Sequence, residues 1–195
     1  MTDECRQAEN AVSSSGETLP APAHIRHATA ADTAALSELA TTAFRDTYSL
    51  IDDPQDIEDH IAEYFPVDIL AAQIRDPAST FLLLESPDGL IGYAQLKRSP
   101  APPCVAGPAP LELARLYLRR QKIGKGLGAR LMRAVHAEAR DMGYRTLWLG
   151  VYDRNLRAIA FYKKCGFVEV GHKRFKFGRQ WVSDPIMAMP VGGTP

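Results

Sequence analysis

The chain has 195 residues, of which 23 are basic and 23 acidic, so its formal net charge at pH 7 is zero. A chain of this length can bury the core of one domain, and a balanced charge gives no reason to expect nucleic acid or a membrane surface as a partner. The three cysteines, Cys5, Cys104 and Cys165, lack the spacing of a disulfide framework or a zinc site.

The first 22 residues are polar and rich in Ser, Ala, Pro and Glu, and they predict a disordered tail because they lack a hydrophobic period. This segment has no apolar core of the kind found in signal peptides. No apolar run in the chain approaches the ~20 residues of a membrane-spanning helix. Together with the cysteine usage, these features lead us to expect a cytoplasmic protein, with residues 23–191 as its single domain.

Helical periods dominate the first part of that domain. The segment HIRHATAAD predicts a short strand, and Asp32 is the predicted cap of a helix over residues 33–48. Asp53-Pro54 is a typical helix start, and the apolar residues after it continue the helical period. A third helix, VDILAAQIRD, is expected to stop before Pro77, because the residue that precedes a proline avoids the helical conformation.

The period then changes from helix to strand. TFLLLES and LIGYAQLKR flank PDG, which is typical of a hairpin turn. Residues 99–110 contain too many prolines for a central strand and predict a loop. Further strands are predicted at LELARLYL, RTLWLGVY, FVEVGHKRF and WVSDPIMAMPV, with a long amphipathic helix after the first and the helix NLRAIAFYKKC after the second. This order of elements predicts a mixed α/β sheet domain.

Three glycines, Gly124, Gly126 and Gly128, separate the strand LELARLYL from the helix that follows it. Glycines at such a junction let successive backbone N–H groups converge on an anion, and the helix dipole adds favourable potential at the first turn. A Walker loop would need Ser or Thr after Lys125, and a dinucleotide fingerprint would need the spacing GxGxxG. The pattern therefore favours a different phosphate site, with a flexible surface turn as the alternative.

Two motifs resemble the GNAT superfamily of acetyl-CoA-dependent N-acetyltransferases. Gln121-x-x-Gly124-x-Gly126 matches the family signature Q/R-x-x-G-x-G/A at this junction. The segment NLRAIAFYKKCGF is similar to the family pattern N-x-x-A-x-x-F-Y-x-K-x-G-F. The resemblance covers residues 24–190 and implies the GNAT fold, which is a mixed, mostly antiparallel central sheet with splayed parallel strands in the middle and flanking helices.

The resemblance implies that acetyl-CoA is the donor, that coenzyme A is a product and that no metal takes part. The pyrophosphate would lie on the backbone amides after the strand, with Gln121 at the mouth, and Gly128 would serve helix packing. The pantetheine would pair with a strand edge that a bulge leaves free, and Asn155 would cap its helix and contact the donor. The implied cofactor-binding residues are Leu116, Tyr117, Leu118, Gln121, Lys122, Ile123, Gly124, Lys125, Gly126, Leu127, Asn155 and Tyr162.

Direct attack by an amine requires a neutral nucleophile, because an alkylamine with a pKa of ~10 is protonated at neutral pH. A base or a water chain must accept its proton, and an acid can protonate the departing thiolate. By the resemblance, Tyr162 is the expected acid; an ordinary core aromatic residue is the alternative. Glu112 in LELARLYL is the expected base, and a carboxylate paired with Arg115 is the alternative.

Eight acids and no Lys or Arg lie between Asp46 and Ile74. Such a run favours a polycation such as spermidine or spermine, with Asp52, Asp53 and Asp56 as the expected substrate-binding residues. A solvated helical face is the alternative. FRDTY with the acidic segment after it, WLGVYDRNLRAIAFYKKCGF and FKFG are similar to PaiA-type spermidine/spermine acetyltransferases. The proline-rich loop and the N-terminal tail depart from that pattern.

Other functions stay open from the sequence alone. A protein or peptide amine, or another small amine, would keep the reaction and change the acceptor. A non-catalytic acyl-CoA sensor would keep the glycine motif and lose a catalytic group, and the presence of Tyr162 argues against it. A small-molecule amine is the expected partner, and the oligomeric state is open, with a homodimer among the alternatives.

Overall fold

Seven strands form one mixed sheet in the described part of the chain, which comprises residues 23–177 and 180–192 of a computed structural model. The predicted tail over residues 1–22 lies outside the described residues. The strands are β1 (His24–His27), β2 (Ser79–Ser86), β3 (Gly89–Lys97), β4 (Pro110–Leu118), β5 (Thr146–Gly150), β6 (Val168–Phe177) and β7 (Gln180–Pro190). The helices are α1 (Thr33–Tyr48), α2 (Pro54–Tyr64), α3 (Val67–Arg75), α4 (Leu127–Asp141) and α5 (Leu156–Lys164).

The order of the strands in the sheet is β1-β2-β3-β4-β5-β7-β6. Neighbouring strands pair antiparallel, except for β4 and β5, which run parallel in the middle. This confirms the predicted mixed, mostly antiparallel sheet with parallel strands at its centre. Among the described residues, none of the helices has the length and apolar character that a bilayer span requires.

The predicted helices agree with the structure. α1 buries the apolar face expected from its period, which consists of Leu36, Leu39, Ala40, Ala43 and Phe44. α2 begins at Pro54, where the Asp53 carboxylate accepts a hydrogen bond from the Gln55 N–H at 2.8 Å. This cap satisfies one of the backbone donors that every helix start leaves open. α3 ends at Arg75, shortly before Pro77, as expected.

The sheet separates two apolar cores, because successive side chains of a strand point to opposite faces. In β2, Leu82 belongs to the core covered by α4 and α5, while Leu83 belongs to the core covered by α1, α2 and α3. In β5, Trp148 points to this second face as well, where it packs with Val105 of the proline-rich loop. The second face is therefore covered by helices over one half of the sheet and by the loop over the other half.

β4 and β5 pair only at their beginnings. The pairs are Pro110–Thr146, Leu111–Leu147 and Glu112–Trp148. On its other edge β4 carries a bulge, since its register with β3 passes from Leu113 to Arg115 and skips Ala114. Because the two strands part after Glu112, the edge of β4 over residues 113–118 offers backbone N–H and C=O groups to a ligand.

Asp32 differs from its predicted role. It occupies the position before α1, but its side chain makes no capping bond to that helix. Its carboxylate instead accepts two hydrogen bonds from Arg26, at 2.7 and 2.8 Å, and one from the Thr29 N–H at 2.8 Å. Arg26 also donates to Glu85 at 2.7 Å. The guanidinium outcompetes the helix for the carboxylate, because charge-assisted bidentate bonds are stronger than a bond to a neutral N–H.

Replacing Arg26 with methionine should lower the free energy of unfolding by about 1 to 2 kcal/mol at pH 7, because two partly buried carboxylates lose their partner. Arg26 holds the pKa of Asp32 well below its usual range. A carboxyl whose pKa is lowered in the folded state stabilises the fold above its unfolded pKa of ~4 and loses that contribution as the pH falls. The difference between wild type and variant should therefore be smaller at pH 3 than at pH 7 in urea denaturation.

Arg45→Met provides the control for this change. Arg45 pairs with Glu58 at 2.7 Å, but both side chains are about half exposed. An exposed ion pair contributes only about 0.2 to 1 kcal/mol. Two results would contradict the assigned role of Arg26. One is an Arg26→Met variant that is no less stable than Arg45→Met. The other is an equal loss of unfolding free energy in Arg26→Met at pH 3 and pH 7.

Candidate active site

The two glycines that precede α4 have left-handed backbone conformations, with φ of +81° at Gly124 and +75° at Gly126. A Cβ atom at either position would meet no atom within 4 Å, so the space in front of both is open. The first backbone bond of α4 runs from the Arg130 N–H to the Gly126 oxygen at 3.1 Å. The amides of the preceding turn are therefore left for a ligand, and the helix dipole favours an anion there.

Gly128 has a different environment. A Cβ atom at this position would lie 3.3 Å from the Phe161 ring and 3.6 Å from the Leu118 side chain. The absence of a side chain thus lets the first turn of α4 pack closely against α5 and the end of β4. This agrees with the expected packing role of Gly128.

A cleft with a volume of about 300 Å³ lies beside this turn. Its lining includes Leu118, Arg120, Ile123, Arg154, Asn155 and Arg157. Three of these side chains carry guanidinium groups, which bind phosphate oxygens through paired hydrogen bonds. The open amides and the three arginines together suit a polyanion, so the residues present fit the pyrophosphate of a nucleotide-containing ligand.

The residues expected to hold the donor form a continuous path from the free edge of β4 to the first turn of α4. Leu116 and Leu118 pack against the core under α4, while Tyr117 faces α1. The chain then forms a 3-10 turn over Arg120–Lys122, which leads into the glycines. Along this path Gln121, Gly124, Lys125 and Gly126 are exposed, whereas Lys122, Ile123 and Leu127 are half-buried.

Tyr162 is buried in α5, with 9% of its surface exposed. Its ring contacts Phe161 and Phe167, with centroids 5.4 and 5.7 Å away. Burial raises the pKa of the Tyr162 hydroxyl, and the neighbouring Tyr117 and Cys165 raise it further. The hydroxyl therefore keeps its proton at neutral and mildly alkaline pH, as a hydrogen-bond donor must.

Tyr48, at the end of α1, links two of the predicted site residues. Burial raises the pKa of its hydroxyl, and the side chains of Tyr117 and Asn155 are close enough to influence that pKa as well. Asn155 also caps α5, since its Oδ1 accepts the Ala158 N–H at 3.1 Å. Tyr48 is not predicted as a site residue from the sequence, because its helical position continues an apolar face. Its polar hydroxyl at a buried position was the available signal.

Glu112 lies at the closed end of the gap, in the last residue pair that joins β4 to β5. Its Oε2 accepts a hydrogen bond from the Ser99 hydroxyl at 2.5 Å. Arg115, the alternative partner, donates instead to Gln73 at 3.0 Å and lies over the Phe65 ring at 5.0 Å. Glu112 is thus oriented by the loop after β3, and its role as a base stays a prediction.

The three acids expected to bind substrate have different surroundings. Asp53 is exposed and caps α2, and Asp56 lies in the first turn of α2, where the helix dipole favours a carboxylate. Asp52 instead turns inward. Its Oδ1 accepts a hydrogen bond from the Tyr152 hydroxyl at 2.5 Å, and its Oδ2 is buried without a partner among the described residues. Of the three, Asp52 alone contacts the segment that follows β5.

Asp184 in β7 joins this acidic group, and the sequence analysis did not predict it. It is 8% exposed, and its Oδ1 accepts the Asp153 N–H at 3.2 Å. Burial raises the pKa of Asp184 to about 6, and the charges of Asp153 and Asp52 add to this effect. The available signal was an acid inside the otherwise apolar strand segment DPIMAMP.

A larger cavity of about 450 Å³ lies along the middle and end of α4, where Arg133, His136 and Cys165 are among its lining residues. Burial lowers the pKa of His136 and raises that of the Cys165 thiol, so both are neutral at pH 7. This cavity contacts neither the open amides nor the free edge of β4. Within the described ranges, no three His, Cys, Asp or Glu side chains are grouped to hold a metal ion.

Known proteins share this sequence pattern and this arrangement. The model of the acetyltransferase (GNAT) family matches residues 35–167. An uncharacterized N-acetyltransferase of Mycobacterium tuberculosis is 34% identical over 154 residues, which cover 77% of this chain and 94% of that protein. A second one, from Lactobacillus delbrueckii subsp. lactis, is 29% identical over 149 residues, covering 76% of this chain and 86% of that protein.

Solved structures show the same fold. The PaiA N-acetyltransferase from Thermoplasma acidophilum, in complex with coenzyme A, superposes with a TM-score of 0.70 at 25% identity, covering 87% of this chain and 99% of that one. The ribosomal-protein-S18-alanine N-acetyltransferase from Escherichia coli superposes with a TM-score of 0.65 at 19% identity, covering 89% and 97%. The second likeness shows the shared fold alone.

Proposed function

The chain belongs to the acetyltransferase (GNAT) family and is an acetyl-CoA-dependent N-acetyltransferase, and on this premise we propose that its acceptor is a small polyamine such as spermidine or spermine. The observation that carries the proposal is the group of carboxylates, Asp52 and Asp184, directly beyond the end of β5. Carboxylates concentrated near a reaction site attract and orient cationic substrates.

Acetyl-CoA supplies the acetyl group as a thioester when it is bound. The amides before α4, together with Arg120, Arg154 and Arg157, would hold its pyrophosphate. The free edge of β4 over residues 116–118 would pair with the amides of its pantetheine. Two features support this assignment: the open space in front of Gly124 and Gly126, and the early parting of β4 from β5.

Tyr162 would donate a hydrogen bond to the leaving sulfur as negative charge develops there. The raised pKa of its hydroxyl supports this role, because the proton stays on the oxygen throughout the working pH range. The acceptor amine must lose a proton before it attacks, since its pKa is ~10. Glu112 would accept that proton directly or through water, and its place at the closed end of the gap supports this role.

A panel of amines tests the proposed acceptor. Thiol release from acetyl-CoA is measured with spermidine, spermine, butylamine and a short peptide with a free N-terminus. We expect kcat/KM to be at least about tenfold higher for the polyamines than for butylamine, because one additional charge-assisted contact of about 1.5 kcal/mol corresponds to a factor of ten.

Butylamine serves as the control in the same assay, because it has the reacting group without a second charge. Turnover of the peptide without turnover of spermidine and spermine would contradict the proposed acceptor. Equal kcat/KM for butylamine and the polyamines would contradict it as well.

A further inference from the structure

Two carboxylates from distant parts of the chain meet beyond the end of β5. Asp52 belongs to the loop between α1 and α2, and Asp184 belongs to β7. The consecutive residues Tyr152 and Asp153 connect them, since the Tyr152 hydroxyl donates to Asp52 and the Asp153 N–H donates to Asp184. Burial raises the pKa of Asp184, and the negative charges of Asp153 and Asp52 raise it further, as expected for neighbouring carboxylates.

Neither carboxylate forms an ion pair with a described basic residue, although the charge of Arg154 reaches the Tyr152 hydroxyl that donates to Asp52. Asp184 is more than nine-tenths buried, and the Oδ2 of Asp52 is buried without a hydrogen-bond partner among the described residues. Lys173 stands opposite Asp184 on β6, yet no basic group contributes to the pKa of Asp184. Buried carboxylate oxygens are nearly always paired or hydrogen-bonded in proteins. The Oδ2 of Asp52 is therefore left to accept a hydrogen bond from a ligand, and a cationic donor suits its position beside Asp184.

The location of the pair relative to the gap between β4 and β5 limits the kind of cation. β7 is the neighbour of β5, which borders the gap. Adjacent strands are about 4.8 Å apart, so β7 lies about 5 to 10 Å from the gap across the sheet. Two nitrogen atoms joined by three or four methylene groups are about 5 to 6 Å apart when bond lengths are ~1.5 Å.

We propose that Asp184 and Asp52 bind a second, non-reacting ammonium group of the acceptor while its first nitrogen attacks in the gap. The pair then selects diamines by the distance between their nitrogen atoms. This inference rests on the proposed polyamine acceptor and adds a specific subsite to it. A proton shared between the two carboxyls is the competing explanation. The binding experiment is therefore performed at pH 8, above the raised pKa of Asp184, and failure of a diamine to bind there would favour the shared proton.

Calorimetric titration of the protein loaded with coenzyme A tests the subsite without relying on turnover. The ligands are 1,4-diaminobutane and butylamine, at pH 8 and low salt. Wild type should bind the diamine at least about tenfold more tightly than the monoamine. Asp184→Asn and Asp52→Asn should each weaken diamine binding about tenfold and leave butylamine binding unchanged, because each removes one charge-assisted contact of about 1.5 kcal/mol.

Asp153→Asn is the matched control. Its side chain is exposed and its N–H group is retained, so the variant removes a nearby negative charge without changing the contact to Asp184. We expect less than a twofold change in diamine affinity. Thermal unfolding of each variant verifies that the fold is intact, and Asp52→Asn in its surface loop gives the decision if Asp184→Asn does not fold.

Two results would overturn the subsite. One is equal affinity of wild type for the diamine and the monoamine. The other is an equal loss of both ligands in Asp184→Asn, which would indicate a structural role. A different result would contradict the proposed acceptor and leave the subsite intact. Wild type would then bind the diamine through Asp184 and Asp52 but release no thiol with it, while another amine supports turnover.

Discussion

Replacing Tyr162 with phenylalanine should lower kcat about 100-fold, with little change in the KM for acetyl-CoA. A positioned acid contributes about 10²- to 10⁴-fold to the rate of a proton-dependent step. The phenylalanine ring keeps the contacts with Phe161 and Phe167, so the change removes the hydroxyl alone. The measurement is steady-state thiol release at saturating donor and acceptor concentrations.

Tyr93→Phe controls for the loss of a buried hydroxyl as such. Tyr93 is fully buried in β3, and its hydroxyl has no partner among the described residues. Removing it should leave kcat unchanged and the stability equal or higher, because an unsatisfied polar group is lost. Unchanged turnover in Tyr162→Phe, or an equal loss in both variants, would exclude Tyr162 as the acid.

Replacing Gly126 with alanine should raise the KM for acetyl-CoA about tenfold to 100-fold. The new Cβ enters the open space in front of the amides and obstructs one charge-assisted hydrogen bond, which is worth about 1.5 to 3 kcal/mol. The left-handed conformation at φ +75° adds a stability cost of about 1 to 2 kcal/mol. Calorimetric titration with coenzyme A measures the affinity, and thermal unfolding measures the stability.

Gly143→Ala separates these two effects. Gly143 follows α4 with φ of +84°, and a Cβ there also meets open space, so alanine brings the same backbone strain. It lies at the opposite end of the helix from the amides, and we expect its affinity for coenzyme A to equal that of wild type. If Gly126→Ala also binds coenzyme A like wild type, the turn before α4 does not hold the pyrophosphate.

Local signals predicted most of the fold. The helical period of α1, the Asp53-Pro54 start of α2 and the PDG turn between β2 and β3 each depend on residues close in sequence, and the structure confirms them. The cap at Asp32 was predicted wrongly, because its stronger partner, Arg26, is a basic residue whose direction in β1 depends on strand pairing. Propensity alone does not contain that information.

The candidate site was predictable where a motif is continuous in the chain. The glycines before α4 and the segment around Tyr162 lie in such motifs, and the structure places the two motifs side by side. Ile123 and Asn155 line the same cleft, and Gly128 packs against Phe161. Asp184 could not be assigned in this way. Its neighbour Asp52 is more than 100 positions away in the chain, and the two come together through the pairing of β5 with β7 and the contact of Asp52 with Tyr152.

The early separation of β4 from β5 has a consequence for the timing of catalysis. Three residue pairs join a four-stranded half of the sheet to a three-stranded half, and beyond them the halves are connected mainly through packing. Acetyl-CoA that hydrogen-bonds along the edge of β4 would fill this gap and connect the two halves of the sheet. Coenzyme A must then break the same contacts to leave, so we expect each turnover to include a distinct release step after acetyl transfer.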